Sequence, residues 1–267
     1  MKTMRKFPVM LTFDIDAETL WTARDPKMEN YPVALSQGVY GTKIGVDRIL
    51  KLLSRYGIAA TFFVPGKTIE RNQNLIKKVI DQGHEISHHS YSHKWLETLS
   101  IDEEREELGK GLDLIENIYG RKPRGYRSPA GEFTPHTFDL LLEYGFEYSS
   151  NFFDDEEPYK HIINGEKSEL IELPFAWALD DAPFFLYSNR LPGRFMAAPS
   201  AVLETWKIEF NGLYAEDKCM VLAMHPQIIG RPSRMYILES LIQHIMGKPN
   251  VWFARCDQVI DAVKDHL

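Results

Sequence analysis

The 267 residues carry 31 Lys and Arg against 38 Asp and Glu, a formal net charge of -7, with 44% hydrophobic and 26% charged residues. This is ordinary globular composition, and the negative balance excludes a nucleic-acid groove or an anionic membrane as the main partner. No stretch reaches the ~20 apolar residues of a transmembrane helix, and Met1–Pro8 precedes no apolar signal core of ~7–15 residues, so a cytoplasmic protein is expected.

Short apolar runs alternate with amphipathic stretches, and no linker divides the chain, so residues 1–267 are expected to form one domain. Val9–Phe13 reads as the first strand. Ala17–Thr42 is long, carries Trp21, Pro26, Tyr31 and Pro32, and is a candidate lid. Ile44–Tyr56 has helical spacing and stops at Gly57. Ala59–Val64 is the second strand, a helix follows near Asn74–Gln82, and Glu85–His88 is the third strand. Ser100-Ile-Asp-Glu103 is a capping-box pattern opening a charged helix to Tyr119. Gly125–Ser128 is strand-like, and Thr134-Pro135 reads as the start of a helix that Gly145 ends. Further strands fit Glu147–Ser149, Glu169–Leu173, Met220–Met224 and Val251–Ala254. Helices fit Ala201–Phe210, Arg234–Met246 and Asp257–His266. Cys219 and Cys256 sit beside apolar runs and read as buried reduced thiols.

Repeated strand–helix units imply a mainly parallel α/β sheet, closed or nearly so, whose chemistry gathers at the C-terminal strand ends. The polar residues there are the candidates. Asp14-Ile-Asp16 ends the first strand, where i and i+2 carboxylates share a face if the chain stays extended. Two such charges need a cation or an arginine between them. His89-Ser-Tyr-Ser-His93 follows the third strand, and in a helical turn its two imidazoles would face one metal. One Asp with two His leaves a coordination position for water, as hydrolytic metal sites require. Arg127-Ser-Pro-Ala-Gly131 puts a permanent cation at a strand end, suited to hold a carboxylate. Met220–Pro226 ends in His225, placed to protonate a leaving nitrogen. Each residue has a plainer reading as a strand-end turn or core side chain. Their common position gives the pattern its weight.

With these residues in view, the chain resembles the polysaccharide deacetylase (NodB-homology, carbohydrate esterase family 4-like) superfamily. Thr12–Asp16 (TFDID) is similar to the family's TFDDG, His89–His93 to HxxxH, Arg127–Gly131 to RxPxG, and Leu222–Pro226 to the closing LxxHP motif. Ile15 splits the aspartates and no glycine follows Asp16. These departures, with the long Ala17–Thr42 segment, resemble the subgroup of the Helicobacter-type peptidoglycan deacetylase, allantoinase and cyclic imide hydrolases. The resemblance implies a distorted (β/α)7 barrel related to the TIM barrel. It implies Asp14 as general base, held by Arg127, and His225 as general acid. Asp16, His89 and His93 would be ligands of a divalent metal, zinc first, with cobalt, nickel, manganese or ferrous iron as alternatives. The expected activity is removal of N-acetyl groups from amino sugars. Alternatives are hydrolysis of a small linear or cyclic amide and a non-catalytic carbohydrate-binding barrel. Trp177, Trp21, Tyr31, Arg231 and Arg234 are the expected substrate contacts, the arginines for an anionic group. A homo-oligomer, of tetramer type, is expected from the subgroup.

Overall fold

Each apolar run becomes a strand, and successive strands pair in parallel because a helix or long excursion separates them. The computed structural model describes residues 6–189 and 195–267. The basic chain start, with Lys2 and Arg5, lies outside the described residues. The strands are β1 (Phe7–Asp14), β2 (Thr61–Val64), β3 (Glu85–His88), β4 (Gly125–Tyr126), β5 (Tyr148–Ser149), β6 (Tyr159–Ile163), β7 (Glu166–Glu172), β8 (Met220–Met224) and β9 (Val251–Phe253). The order is β6-β7-β5-β4-β3-β2-β1-β8, with β9 also on β1, and only the β6–β7 pair is antiparallel. β1 is central and almost wholly buried, as a run apolar on both faces requires.

The sheet curls into a barrel whose closure lies between β7 and β8. There the irregular stretch after β7 supplies one parallel bridge, Asp180 to Ala223, and Asp181 N–H donates to the Ala223 carbonyl at 3.1 Å. The expected α/β barrel of parallel strands is the observed architecture, and this closure is its distortion.

Helices pack outside the strands. Val46–Tyr56 ends at Gly57, whose φ of 64° lets its N–H reach the Leu53 and Ser54 carbonyls. Ile101–Tyr119 has the expected capping box, with Ser100 and Glu103 exchanging backbone and side-chain hydrogen bonds. The helix expected from Thr134-Pro135 instead begins at Thr137, because the Thr134 hydroxyl forms a local turn by accepting the His136 N–H at 3.2 Å. Ala17–Thr42 is not an open lid. It holds Thr19–Thr22, a 3-10 turn at Pro26–Asn30 and the helix Pro32–Tyr40, which runs through a π turn into Val46–Tyr56. The π turn, Gly41–Gly45, docks on the short helix Pro226–Ile229 after β8: a Cβ on Gly45 would lie 2.2 Å from the Pro226 carbonyl oxygen, so only glycine permits the approach.

Candidate active site

The C-terminal ends of β1, β3, β4 and β8 bring the motifs together. Asp14 and Asp16 are both buried, at 4% and 0% exposure. Arg127, also buried, donates from Nη1 to Asp14 Oδ1 and to Thr12 Oγ1, each at 2.9 Å. Its remaining nitrogens are tied to the Ser150 carbonyl at 3.1 Å and hydroxyl at 2.8 Å, and the guanidinium lies 4.2 Å from the Phe63 ring centroid. A buried charge so fully paired is held in one position. One Asp14 oxygen is thereby fixed, while Oδ2 lies 3.9 Å from His89 Nε2.

The histidines converge by a different route from the one expected. Residues 89–95 are not helical, and Ser90 and His93 take positive φ values of 62° and 63°. Left-handed non-glycine residues cost roughly 1–2 kcal/mol each, so something must hold the loop. Glu107, buried on the helix behind it, does so. Its carboxylate accepts from Ser90 Oγ at 2.7 Å, Tyr91 N at 3.1 Å, and Ser92 N and Oγ, both at 2.6 Å. His89 Nδ1 is 2.6 Å from the Arg127 carbonyl oxygen, which fixes the tautomer and turns Nε2 toward the aspartates.

His225, capping β8, is fixed by a residue the sequence did not single out. Asp181 accepts from His225 Nδ1 at 2.6 Å and from its backbone N–H at 3.0 Å. The strand-gap closure at Ala223 is what delivers Asp181 there. Burial opposes a charged imidazole, but Asp181, with Asp180 and Asp16 behind it, holds His225 well above the usual histidine range. Asp180 itself is pushed up to about 7, by burial first, despite the attraction of His225.

The Asp16 group fits a cation. Asp16 Oδ1 is buried with no hydrogen-bond partner, 3.3 Å from His89 Nε2 and 3.5 Å from His93 Nε2. Burial alone would raise the Asp16 carboxyl, yet His93, His89 and His225 together hold it well below the carboxylate range. Burial pushes His93 down to about 4, which keeps its imidazole neutral and able to ligate. Two nitrogens and one carboxylate oxygen mutually within 4.8 Å make a three-ligand set for a divalent ion. Asp180, Asp181 and His225 are equally close, but the 2.6 Å Asp181–His225 bond makes them a hydrogen-bonded group.

Residues 1–149 match the polysaccharide deacetylase family model. The Helicobacter pylori peptidoglycan deacetylase is 30% identical over 273 residues, covering 93% of each chain. The chain belongs to the polysaccharide deacetylase family. Among solved structures, a polysaccharide deacetylase homologue from Mycobacterium smegmatis is 34% identical with a TM-score of 0.92, over 99% of this chain and 92% of that one. The allantoinase PuuE, at 23% identity, shares the fold with a TM-score of 0.86 over 100% of this chain and 93% of its own. As a polysaccharide deacetylase family member, the protein is a hydrolase of carbon–nitrogen bonds other than peptide bonds, and its buried Asp–His–His set has the donors to hold a divalent ion.

In this family member a cavity of about 560 Å³ opens over the group, lined by Asp14, His89, His93, Arg127 and His225, with Trp177 on its wall. Asp16 lies beneath it. The other expected contacts fall elsewhere. Trp21 is 2% exposed and turned into the core, and it borders a neighbouring cavity with Arg231 and Arg234. Tyr31 borders neither cavity. The expectation of an aromatic lid is corrected: Leu20 and Arg24 form that wall, because the helix Thr19–Thr22 buries its tryptophan inward. Among the described residues no helix is long and apolar enough to cross a membrane.

Proposed function

We propose that the protein removes the N-acetyl group of an amino sugar, with zinc as its metal, and that the whole chain acts as one catalytic unit. The observation that carries this reading is the placement of Asp14 and His225, 211 residues apart in sequence. Each lies within 4 Å of a member of the Asp16–His89–His93 set: Asp14 Oδ2 is 3.9 Å from His89, and His225 Nε2 is 3.7 Å from Asp16. Asp16, His89 and His93 would hold the ion, which when bound supplies Lewis acidity to the cavity. Asp14, fixed by Arg127 through Oδ1, accepts the proton of the attacking water at Oδ2. The C–N bond breaks as His225, protonated through the influence of Asp181, delivers a proton from Nε2 to the departing nitrogen. Acetate and a free amine result. Trp177, half exposed on the cavity wall, offers an apolar face to a sugar ring.

A second reading, hydrolysis of a small linear or cyclic amide, is favoured by the cavity. Its volume of about 560 Å³ and its wall of Leu20 and Arg24 suit a compact substrate. The test is a panel of N-acetylglucosamine oligomers against small linear and cyclic amides, with acetate and amine measured. Acetate release from the sugars supports the first reading, turnover confined to small amides supports the second, and binding of sugars without turnover leaves only a carbohydrate-binding barrel.

Self-association is part of the proposal. Val33, on the helix Pro32–Tyr40, is 83% exposed, and Tyr31 and Val39 of the same stretch are a little over one third exposed; such apolar exposure suits a subunit contact. Light scattering is expected to give an oligomer, a tetramer in the subgroup's manner, that Val33→Asp dissociates.

A further inference from the structure

A second cavity of about 310 Å³ lies beside the reaction cavity. Leu186 lines both, Leu20 lines the first and its neighbour Trp21 the second, and Gln227 of the second reaches Asp16 Oδ2 at 3.4 Å. The charged side chains lining it are Arg231 and Arg234, with no acidic residue among the described lining.

Neither guanidinium has a carboxylate partner among the described residues. Arg231 stacks 3.5 Å from the Tyr40 ring centroid. Arg234 lies 4.7 Å from the Phe185 centroid and donates to the Ile228 carbonyl at 3.1 Å and to Met196 Sδ at 3.4 Å. Burial and the charge of Arg231 hold Arg234 below the usual arginine range, against the attraction of Asp181. Two like charges beside one cavity are unfavourable until an anion enters.

Other features have the same sign. The 15-residue helix Pro232–Met246 opens here, with Arg231 as its N-cap, no capping side chain and no acidic residue in its first turn. Its positive end therefore faces a site lined by Ser233. Trp21, 2% exposed, has its Nε1 donor unpartnered, and Gln227, 4% exposed, has its Oε1 acceptor unpartnered. Buried polar groups without partners are uncommon, and a ligand bearing anionic oxygens and a hydroxyl would serve both.

We propose that this second cavity is an anion subsite, which takes a carboxylate or phosphate of the substrate while the bond to be cut sits in the reaction cavity. The proposal rests on the deacetylase reading for the bond cleaved. It makes the preferred substrate an N-acetylated sugar with an anionic substituent.

Two measurements on the full chain test it. The first compares kcat/KM for N-acetylglucosamine, its 6-phosphate and its 3-O-lactyl ether. Wild type is expected to prefer a charged sugar, and Arg231→Gln with Arg234→Gln to lose about tenfold or more of that preference through KM. Arg231→Lys with Arg234→Lys should keep part of it. Trp21→Phe, which removes the Nε1 donor together with part of the buried ring, should give a smaller loss of the same sign if the double variant fails to fold.

The second titrates inorganic phosphate by tryptophan fluorescence into a His89→Ala, His93→Ala background, where the metal site is disabled. Saturation that the arginine replacements abolish supports the subsite even if no sugar is hydrolysed, in which case only the deacetylase reading fails. Hydrolysis with no charge preference and a flat phosphate titration overturns the subsite and leaves that reading standing. Phosphate that competes with the charged sugar alone identifies the substrate's own anion as the occupant. Phosphate that changes kcat on the neutral sugar marks a free effector site and overturns the assignment to substrate.

Discussion

His225 Nδ1 lies 2.6 Å from Asp181 Oδ1, and the two side chains meet only because the stretch after β7 closes the barrel against β8. The protonated imidazole is the form that donates, so activity falls as pH rises through the His225 pKa, which Asp181 holds above the usual range. Asp181→Asn removes that charge and lowers the pKa. The expected outcome is a loss of roughly 10²-fold in kcat and an alkaline limb of the rate profile displaced to lower pH. A pH profile of kcat/KM checks it, and an unmoved limb would show that Asp181 does not govern the proton.

The Asp16–His89–His93 set should bind about one divalent ion per chain. Elemental analysis of purified protein is expected to find the ion in wild type and to lose it in the His89→Ala, His93→Ala double variant. Full occupancy in that variant would place the metal elsewhere.

Glu107 holds Ser90, Tyr91 and Ser92 with four hydrogen bonds, and those residues carry the strained turn between the two histidines. Glu107→Gln can accept at one oxygen only. Metal affinity should fall about 10- to 100-fold, and stability by about 1–3 kcal/mol. Chelator competition and urea unfolding measure the two separately. A stability loss with unchanged metal affinity would limit Glu107 to scaffolding.

At the opposite end of β3, Glu85 is buried and accepts from Thr61 Oγ1 at 2.7 Å, Tyr148 OH at 2.9 Å and Asp257 N at 3.1 Å. Burial, and then the charge of Asp257, push its carboxyl from 4.5 up to about 7. Between those values the unfolded chain has lost the proton that the folded chain keeps, so stability falls as pH rises through this window. Wild type should lose roughly 1–3 kcal/mol there that Glu85→Gln does not. Urea midpoints of both proteins from pH 4.5 to 8 give the difference, and parallel curves would contradict it.

The sequence made the strands legible where an apolar run was buried on both faces, as in β1 and β8. β6 escaped because Tyr159–Ile163 is half exposed and carries Lys160 and His161. The Asn164-Gly165 pair after it, both with positive φ, was the hairpin signal that could have found it. The motif residues were legible because chemistry demands them at strand ends. Their supports were not. Glu107 sits in a run of charges that reads as a solvated helix face until packing buries it. Asp180 and Asp181 are adjacent, and only the Ala223 bridge decides which one meets His225. Trp21 looked like a lid residue because helical phase in a four-residue helix cannot be read from its neighbours.

The most direct measurement is kcat/KM of Asp14→Asn alongside its metal content, on whichever substrate the panel finds best. Asp14 is outside the proposed ligand set, and Arg127 Nη1 can still donate to the asparagine carbonyl, so the fold and the metal should remain. The expected result is unchanged metal stoichiometry with kcat/KM lowered by about 10²-fold or more. Full activity in Asp14→Asn with metal bound would contradict hydrolysis by this carboxylate.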